Sequence, residues 1–226
     1  MANSNSVIKF GEDVEGYAIP VLNEREIRAA AGIMFLALAT SLVLIMFRQD
    51  FTLVKYVIVV FLSDFIVRVF ISPRFSPMLI IGRLIVSWQA PEYVGAPPKK
   101  FAWKIGLALA SMMFLLLVVL NSYSSITLTA CMLCLVFLFF ESAFGICLAC
   151  SVYNMFYKKE VSLCAGETCT DKTKQAIQKT SGVQLIIVAG SIACILLAAV
   201  LFNDYFEAAP KSLKEMVSNF ASQGSN

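Results

Sequence analysis

The sequence predicts an all-α polytopic transmembrane helical bundle, with about five membrane-spanning helices plus an interfacial helix. Three observations predict it. Five apolar stretches, 29–47, 53–71, 105–120, 126–144 and 183–202, run through the 226 residues, each near the length that crosses a hydrocarbon core. The chain is 59% hydrophobic with a mean hydropathy of +0.78, more than a soluble core of this size requires. Positive charge outside the stretches is one-sided. Lys9, Arg25, Arg28, Arg74, Arg83, Lys99, Lys100, Lys104, Lys158, Lys159, Lys172, Lys174 and Lys179 fall on one side, against Arg48, Lys211 and Lys214 on the other. Such a bias orients the bundle with its amino terminus in the cytoplasm and its carboxyl terminus outside.

The elements follow in order. Residues 1–22 read as a poorly ordered lead-in without a short apolar core and cleavage site, so the first stretch is expected to be retained. Residues 23–157 read as a four-helix membrane core. Asn23 can accept from backbone N–H groups while Glu26, three residues on, reaches back, which starts the first helix. Arg48-Gln49-Asp50 makes an outer turn. The second stretch carries Asp64 and Arg68 four apart, on one helix face. An ionised group at that depth costs roughly 2.5–3.5 kcal/mol on insertion scales, so pairing is expected. The pair reads either as an ion or substrate pathway or as an internal salt bridge, with Arg68 reaching toward the headgroups.

Residues 78–88 are too short to span, and Arg83 and Trp88 suit an interfacial helix. Residues 91–100 form a stiff loop whose lysines can meet anionic lipid, and Lys99 begins the third helix. After an outer turn at 121–125, the fourth helix carries Cys131, Cys134 and Glu141. Residues 158–182 form a cytoplasmic Cys-containing loop with a short helix over 171–179 ended by Gly182. Residues 183–207 are the fifth helix. Residues 208–226 are an outer tail with Leu213, Met216, Val217 and Phe220 at helical spacing.

Composition narrows the chemistry. With no histidine, His-based acid–base catalysis, His-ligated haem and His-containing zinc sites are excluded. The net charge of +3 reflects the cytoplasmic loops and gives no support to nucleic-acid binding. Most of the seven cysteines fall where cytosolic reductants keep thiols reduced. In Gly145-Ile146-Cys147-Leu148-Ala149-Cys150 the two sulfurs sit three residues apart and can form a dithiol/disulfide pair. A continuous helix would place them at its unfavourable negative end, whereas a break at Gly145 would place them at a new helix amino terminus, which favours thiolate. Cys164 and Cys169 in the loop complete a C-x2-C-x13-C-x4-C series. The four read as redox or sulfur-transfer thiols, as ligands of zinc or an iron–sulfur cluster, or as incidental small residues. Cys131, Cys134 and Cys194, inside apolar helices, read as packing residues. Glu141 is either a proton acceptor for Cys147 or a group paired with Arg68 or a loop lysine.

Several motifs carry a family resemblance. Asn23-Glu24-Arg25-Glu26-Ile27-Arg28, Asp64-Phe65-Ile66-Val67-Arg68, Pro73-Arg74-Phe75-Ser76-Pro77, Pro97-Pro98-Lys99-Lys100-Phe101-Ala102 and Gly145-Ile146-Cys147-Leu148-Ala149-Cys150-Ser151-Val152-Tyr153 occur in that order. Over residues 20–157 the chain resembles an uncharacterised bacterial membrane family, domain of unknown function 4395. The resemblance implies a bacterial inner-membrane protein and points to Asp64, Arg68, Cys147 and Cys150 as the site. Family members commonly carry glycine where this chain has Ala149, which leaves the thiol spacing intact.

The expected function is thiol/disulfide or sulfur transfer with a cytosolic thioredoxin-like or sulfurtransferase partner, Cys147 attacking, Cys150 resolving, and Cys164 and Cys169 relaying. The alternatives are a small-anion or sulfur-compound transporter using Asp64, Arg68 and Glu141, its path lined by a homo-oligomer, and a membrane anchor with a metal-binding loop. No resident cofactor is expected beyond the zinc or iron–sulfur alternative, and membrane lipids are the remaining partner.

Overall fold

A computed structural model describes residues 10–157, apart from 13, 15, 16 and 18, and residues 180–212. Cys164, Cys169, the helix expected over 171–179 and the tail from Leu213 onward lie outside the described residues. Helix α1 (Glu24–Arg48) runs through the middle of an all-α bundle; its 25 residues reach about 37 Å, more than a hydrocarbon core needs. Asn23 caps it as the sequence predicts, accepting from the Arg25 N–H at 3.2 Å. Glu26 does reach back, but to the Asn23 side-chain amide (3.1 Å).

Among the described residues, four helical stretches are long and apolar enough to cross a membrane: α1, Ala96–Val119, Ser125–Phe144 and Gly182–Glu207. The second predicted stretch is α2 (Thr52–Ile66) followed by a π-helical turn, Val67–Ile71. Three cations and acids interrupt its apolar run, yet it joins the same two ends of the bundle as its neighbours. Near its start, the Lys55 ammonium donates to the carbonyls of Phe206 (3.0 Å) and Ala208 (2.7 Å), at one end of the bundle. Near its finish, Asp64 and Arg68 meet Ser76 at the opposite end. The four apolar helices make the protein a polytopic helical membrane protein, with the charge-bearing α2 running beside them between the same two ends.

Helix α3 (Pro77–Ile85) starts after Ser76, whose hydroxyl accepts from the Leu79 N–H (3.2 Å). It lies against α1, and Gly82 makes this possible: a Cβ there would stand 2.5 Å from the Glu26 carbonyl oxygen. A Gly82→Ala substitution must push α3 off α1. We expect a cost of about 1–3 kcal/mol, the usual range for overpacking, seen as a lowered melting temperature in detergent. Arg83, expected at the lipid interface, is instead buried beneath this contact and paired with Glu26 at 3.1 Å. Trp88 is exposed, as an interfacial residue should be.

Part of the lead-in that the sequence predicted to be poorly ordered, from Phe10 on among the described residues, packs against the bundle. Strand β1 (Val21–Asn23) pairs antiparallel with β2 (Tyr93–Gly95), and Glu12 bridges Val21. Phe10 packs edge-on against Trp103, ring centroids 5.5 Å apart. Three-residue ribbons are too short to show a period-2 pattern, so nothing in the residue order announced them.

Helix α4 (Ala96–Met113) begins three residues earlier than expected, with Pro97 and Pro98 in its first turn. There the missing proline N–H groups have no intrahelical partner to lose. It continues as a π turn, Phe114–Val119, to a turn with Asn121 in the left-handed region (φ 44°). Strand β3 (Ser122–Tyr123) then pairs in parallel with β4 (Lys211–Ser212). Helix α5 (Ser125–Phe139) ends in a third π turn, Phe140–Phe144, and α6 (Leu148–Tyr157) follows.

Helix α7 (Gly182–Glu207) matches the fifth predicted span, except that Gly182 opens it. Ser181 and Gln184 form a capping box. The helix is tied down at its two ends, by Gln184 Nε2 to the Arg74 carbonyl (3.1 Å) and by the Tyr205 hydroxyl to the Val118 carbonyl (2.6 Å). Between them Ile186, Leu196 and Val200 are exposed, which water would penalise and lipid does not. Cys194 is likewise exposed, so it does not pack within this chain as the sequence suggested. Free Cys131 is buried as predicted.

Candidate functional site

Two of the π turns carry the ionisable residues that the sequence singled out. Arg68 lies in the turn ending the second transverse helix and Glu141 in the turn ending the fourth. A π turn widens a helix by one residue and is often found at functional sites. Here each swings a charged side chain toward the bundle interior.

Arg68 is 3% exposed, so it does not reach the headgroups. Its guanidinium contacts Asp64 Oδ2 at 2.5 Å, donates from Nε to Ser76 Oγ (3.2 Å), and stands 5.3 and 5.2 Å from the Phe65 and Trp103 ring centres. Asp64 in turn accepts from the Ser76 hydroxyl (2.6 Å) and the Met78 N–H (3.0 Å), at the amino terminus of α3. Helix amino termini hold carboxylates well, so the internal salt-bridge reading describes this pair. It fastens α2 to α3.

Lys99 is the residue that sequence reasoning misplaced. It was expected to meet lipid, but its side chain is buried between two carboxylates: Glu141 Oε1 at 2.5 Å and Glu24 Oε1 at 3.5 Å. A cation in the first turn of α4 opposes the helix dipole, and the two acids reverse that penalty. The available signal was a lysine directly after Pro-Pro at a helix start, where a free surface cation is disfavoured. Of the partners proposed for Glu141, a loop lysine is the one it has.

Gly145 breaks the helix with φ +69°, a conformation glycine adopts freely. Arg28 closes over this turn, donating from Nη2 to the Ala143 carbonyl (3.3 Å). After the break, Cys147 takes the capping position of α6: its carbonyl accepts from the Ser151 N–H (3.0 Å) and its sulfur from the Cys150 N–H (3.2 Å). Of the two geometries considered from sequence, the new helix amino terminus is the one formed. The Cys147 and Cys150 sulfurs are bonded as a disulfide, with Cα atoms 5.1 Å apart. That separation is ordinary for a disulfide.

These pieces face one another across a cavity of about 80 Å³, lined at one end by Arg68, Lys99, Glu141 and Cys147. Phe61, Phe65, Trp103 and Phe137 form much of the remaining wall. Cys134, read as packing, also borders it. Three candidates thus share a site: Arg68, Glu141 and Cys147, with Asp64 bonded behind the first and Cys150 behind the last. Among the described residues no three Cys, Asp or Glu side chains are grouped to hold a metal ion. Tetrathiolate ligation would need Cys164 and Cys169. A smaller cavity of about 30 Å³ lies under the amino-terminal ribbon, beside Glu12, Arg74 and Arg83. Burial pushes the Glu12 carboxyl above its usual range, while Arg83 and Arg74 pull it down and Glu26 adds to the rise.

Chemically, the site offers a two-electron dithiol/disulfide couple at a helix amino terminus, with an ammonium–carboxylate pair lining the same cavity. Fold and site together define a polytopic helical membrane protein with a Cys-x-x-Cys whose first cysteine lines an intrabundle cavity. Residues 22–158 match the family described as domain of unknown function (DUF4395), and the chain belongs to that family. No curated protein and no solved structure matches it.

Proposed function

We propose that the protein is a membrane-embedded thiol/disulfide exchanger, cycling Cys147 and Cys150 between dithiol and disulfide. One observation carries this reading: the bonded pair sits at the amino terminus of α6 with Cys147 bordering the cavity. A helix amino terminus favours the thiolate, which is the attacking species in exchange. The charge bias puts this end of the bundle in the cytoplasm of a bacterial cell, with the amino terminus inside and the carboxyl terminus outside. The exchange partner is then a cytosolic thioredoxin-like or sulfurtransferase protein, with Cys147 attacking and Cys150 resolving. Cys164 and Cys169 are positioned in sequence to extend the relay.

A Cys150→Ser variant tests this, because it removes the resolving thiol and leaves mixed disulfides on Cys147. Trapping in cells is expected to yield a reductant-sensitive adduct with a cytosolic protein, absent from Cys147→Ser. No Cys147-dependent adduct would sink the reading, and adducts only with exported proteins would reverse the orientation. Transport of a small anion draws less support, since Arg68 and Lys99 are already committed to carboxylates inside the bundle.

A further inference from the structure

We infer that the cavity beside Cys147 takes a neutral, lipid-soluble two-electron acceptor of the quinone class, which oxidises the Cys147/Cys150 dithiol. The inference rests on the exchange reading and supplies the other half of its electron balance. The cavity's cations are already paired, Arg68 with Asp64 and Lys99 with Glu141 and Glu24, so no free positive charge is left there to select an anion. Its wall is mostly apolar and includes the rings of Phe61, Phe65, Trp103 and Phe137, which suits a flat ring. Its volume of about 80 Å³ compares with the roughly 10–15 Å³ that one water occupies on such a measure, leaving room for a ring rather than a single solvent molecule. Its walls come largely from helices apolar enough to cross a membrane, which suits a ligand that dissolves in lipid.

One polar feature fits a quinone oxygen. Lys99 borders the cavity and carries three N–H donors, of which its two carboxylates take two. The third can donate to a ring carbonyl and help protonate it as electrons arrive. The step balances: Cys147 and Cys150 each give up an S–H proton and one electron, the S–S bond forms, and the quinone takes two electrons and two protons to become the hydroquinone. Reduced thiol pairs in the cytosol, becoming disulfides as they re-reduce Cys147–Cys150, would thereby deliver two electrons and two protons to the membrane acceptor.

The test uses full-length protein in detergent, reduced with dithiothreitol, desalted and mixed without oxygen with decylubiquinone, whose fully substituted ring cannot add thiols. Wild type is expected to reduce about one quinone per chain with loss of two thiols, as a two-electron couple requires. Cys147→Ser should reduce none. Ala102→Leu and Ala31→Leu, which fill the cavity from different walls, should each slow the reaction by about tenfold or more while the Cys147–Cys150 bond still forms on air oxidation. Unchanged rates in both filled variants overturn the cavity assignment. If the wild-type dithiol leaves the quinone untouched but exchanges with oxidised glutathione, the acceptor is wrong and the exchange reading stands. If it does neither, both fall.

Discussion

Removing the Asp64 carboxylate is expected to cost about 3–5 kcal/mol, the range found when one partner of a buried ion pair is deleted. An Asp64→Ala variant leaves the Arg68 guanidinium 3% exposed with no counter-charge, and also strips acceptors from the Ser76 hydroxyl and the Met78 N–H. For a chain of this size that loss lowers the melting temperature by roughly 10 °C or more, or prevents accumulation of folded protein. The double variant Asp64→Leu with Arg68→Met should recover much of the loss, because no uncompensated charge remains. Thermal unfolding of the three proteins in one detergent checks this. A folded Asp64→Ala protein melting with wild type would mean the pair does not hold the fold, and would return it to the pathway reading.

A second large effect is expected at Lys99. Lys99→Met leaves Glu24 and Glu141 facing each other inside the bundle without a cation, again at a cost of about 3–5 kcal/mol. Glu141→Gln should cost much less, since Lys99 keeps Glu24. The two variants also separate structure from chemistry. Lys99 and Glu141 border the cavity with Cys147, so both substitutions should slow reoxidation of the reduced pair, whatever their stability. Melting curves report the first effect and stopped thiol-trapping time courses the second. Full reoxidation rates in a stable Glu141→Gln protein would show that the carboxylate serves packing alone.

The transverse helices were legible because length and apolarity state them directly: 183–207 against Gly182–Glu207, and 126–144 against Ser125–Phe144. The Asn23 cap and the pairing of Asp64 with Arg68 were legible for a similar reason, and the break at Gly145 was one of two geometries the sequence allowed. Each is a local relation within a few residues of chain. The π turns were not, because a one-residue widening of a helix leaves no mark on composition. Nor was the order of the lead-in, whose Phe10 finds Trp103 only after α4 is in place.

What the residue order alone decided is the kind of molecule this is. A chain with five long apolar runs and one-sided positive charge has no soluble alternative, and its lack of histidine removes whole classes of chemistry. Which charged groups meet was decided only by the tertiary structure. Lys99 reaches Glu141 across 42 residues, and Arg83 reaches Glu26 across 57. Sequence patterns carry short-range periodicity, whereas burial forces a distant ion to find a counter-ion or, like Lys55, backbone carbonyls, and packing chooses which.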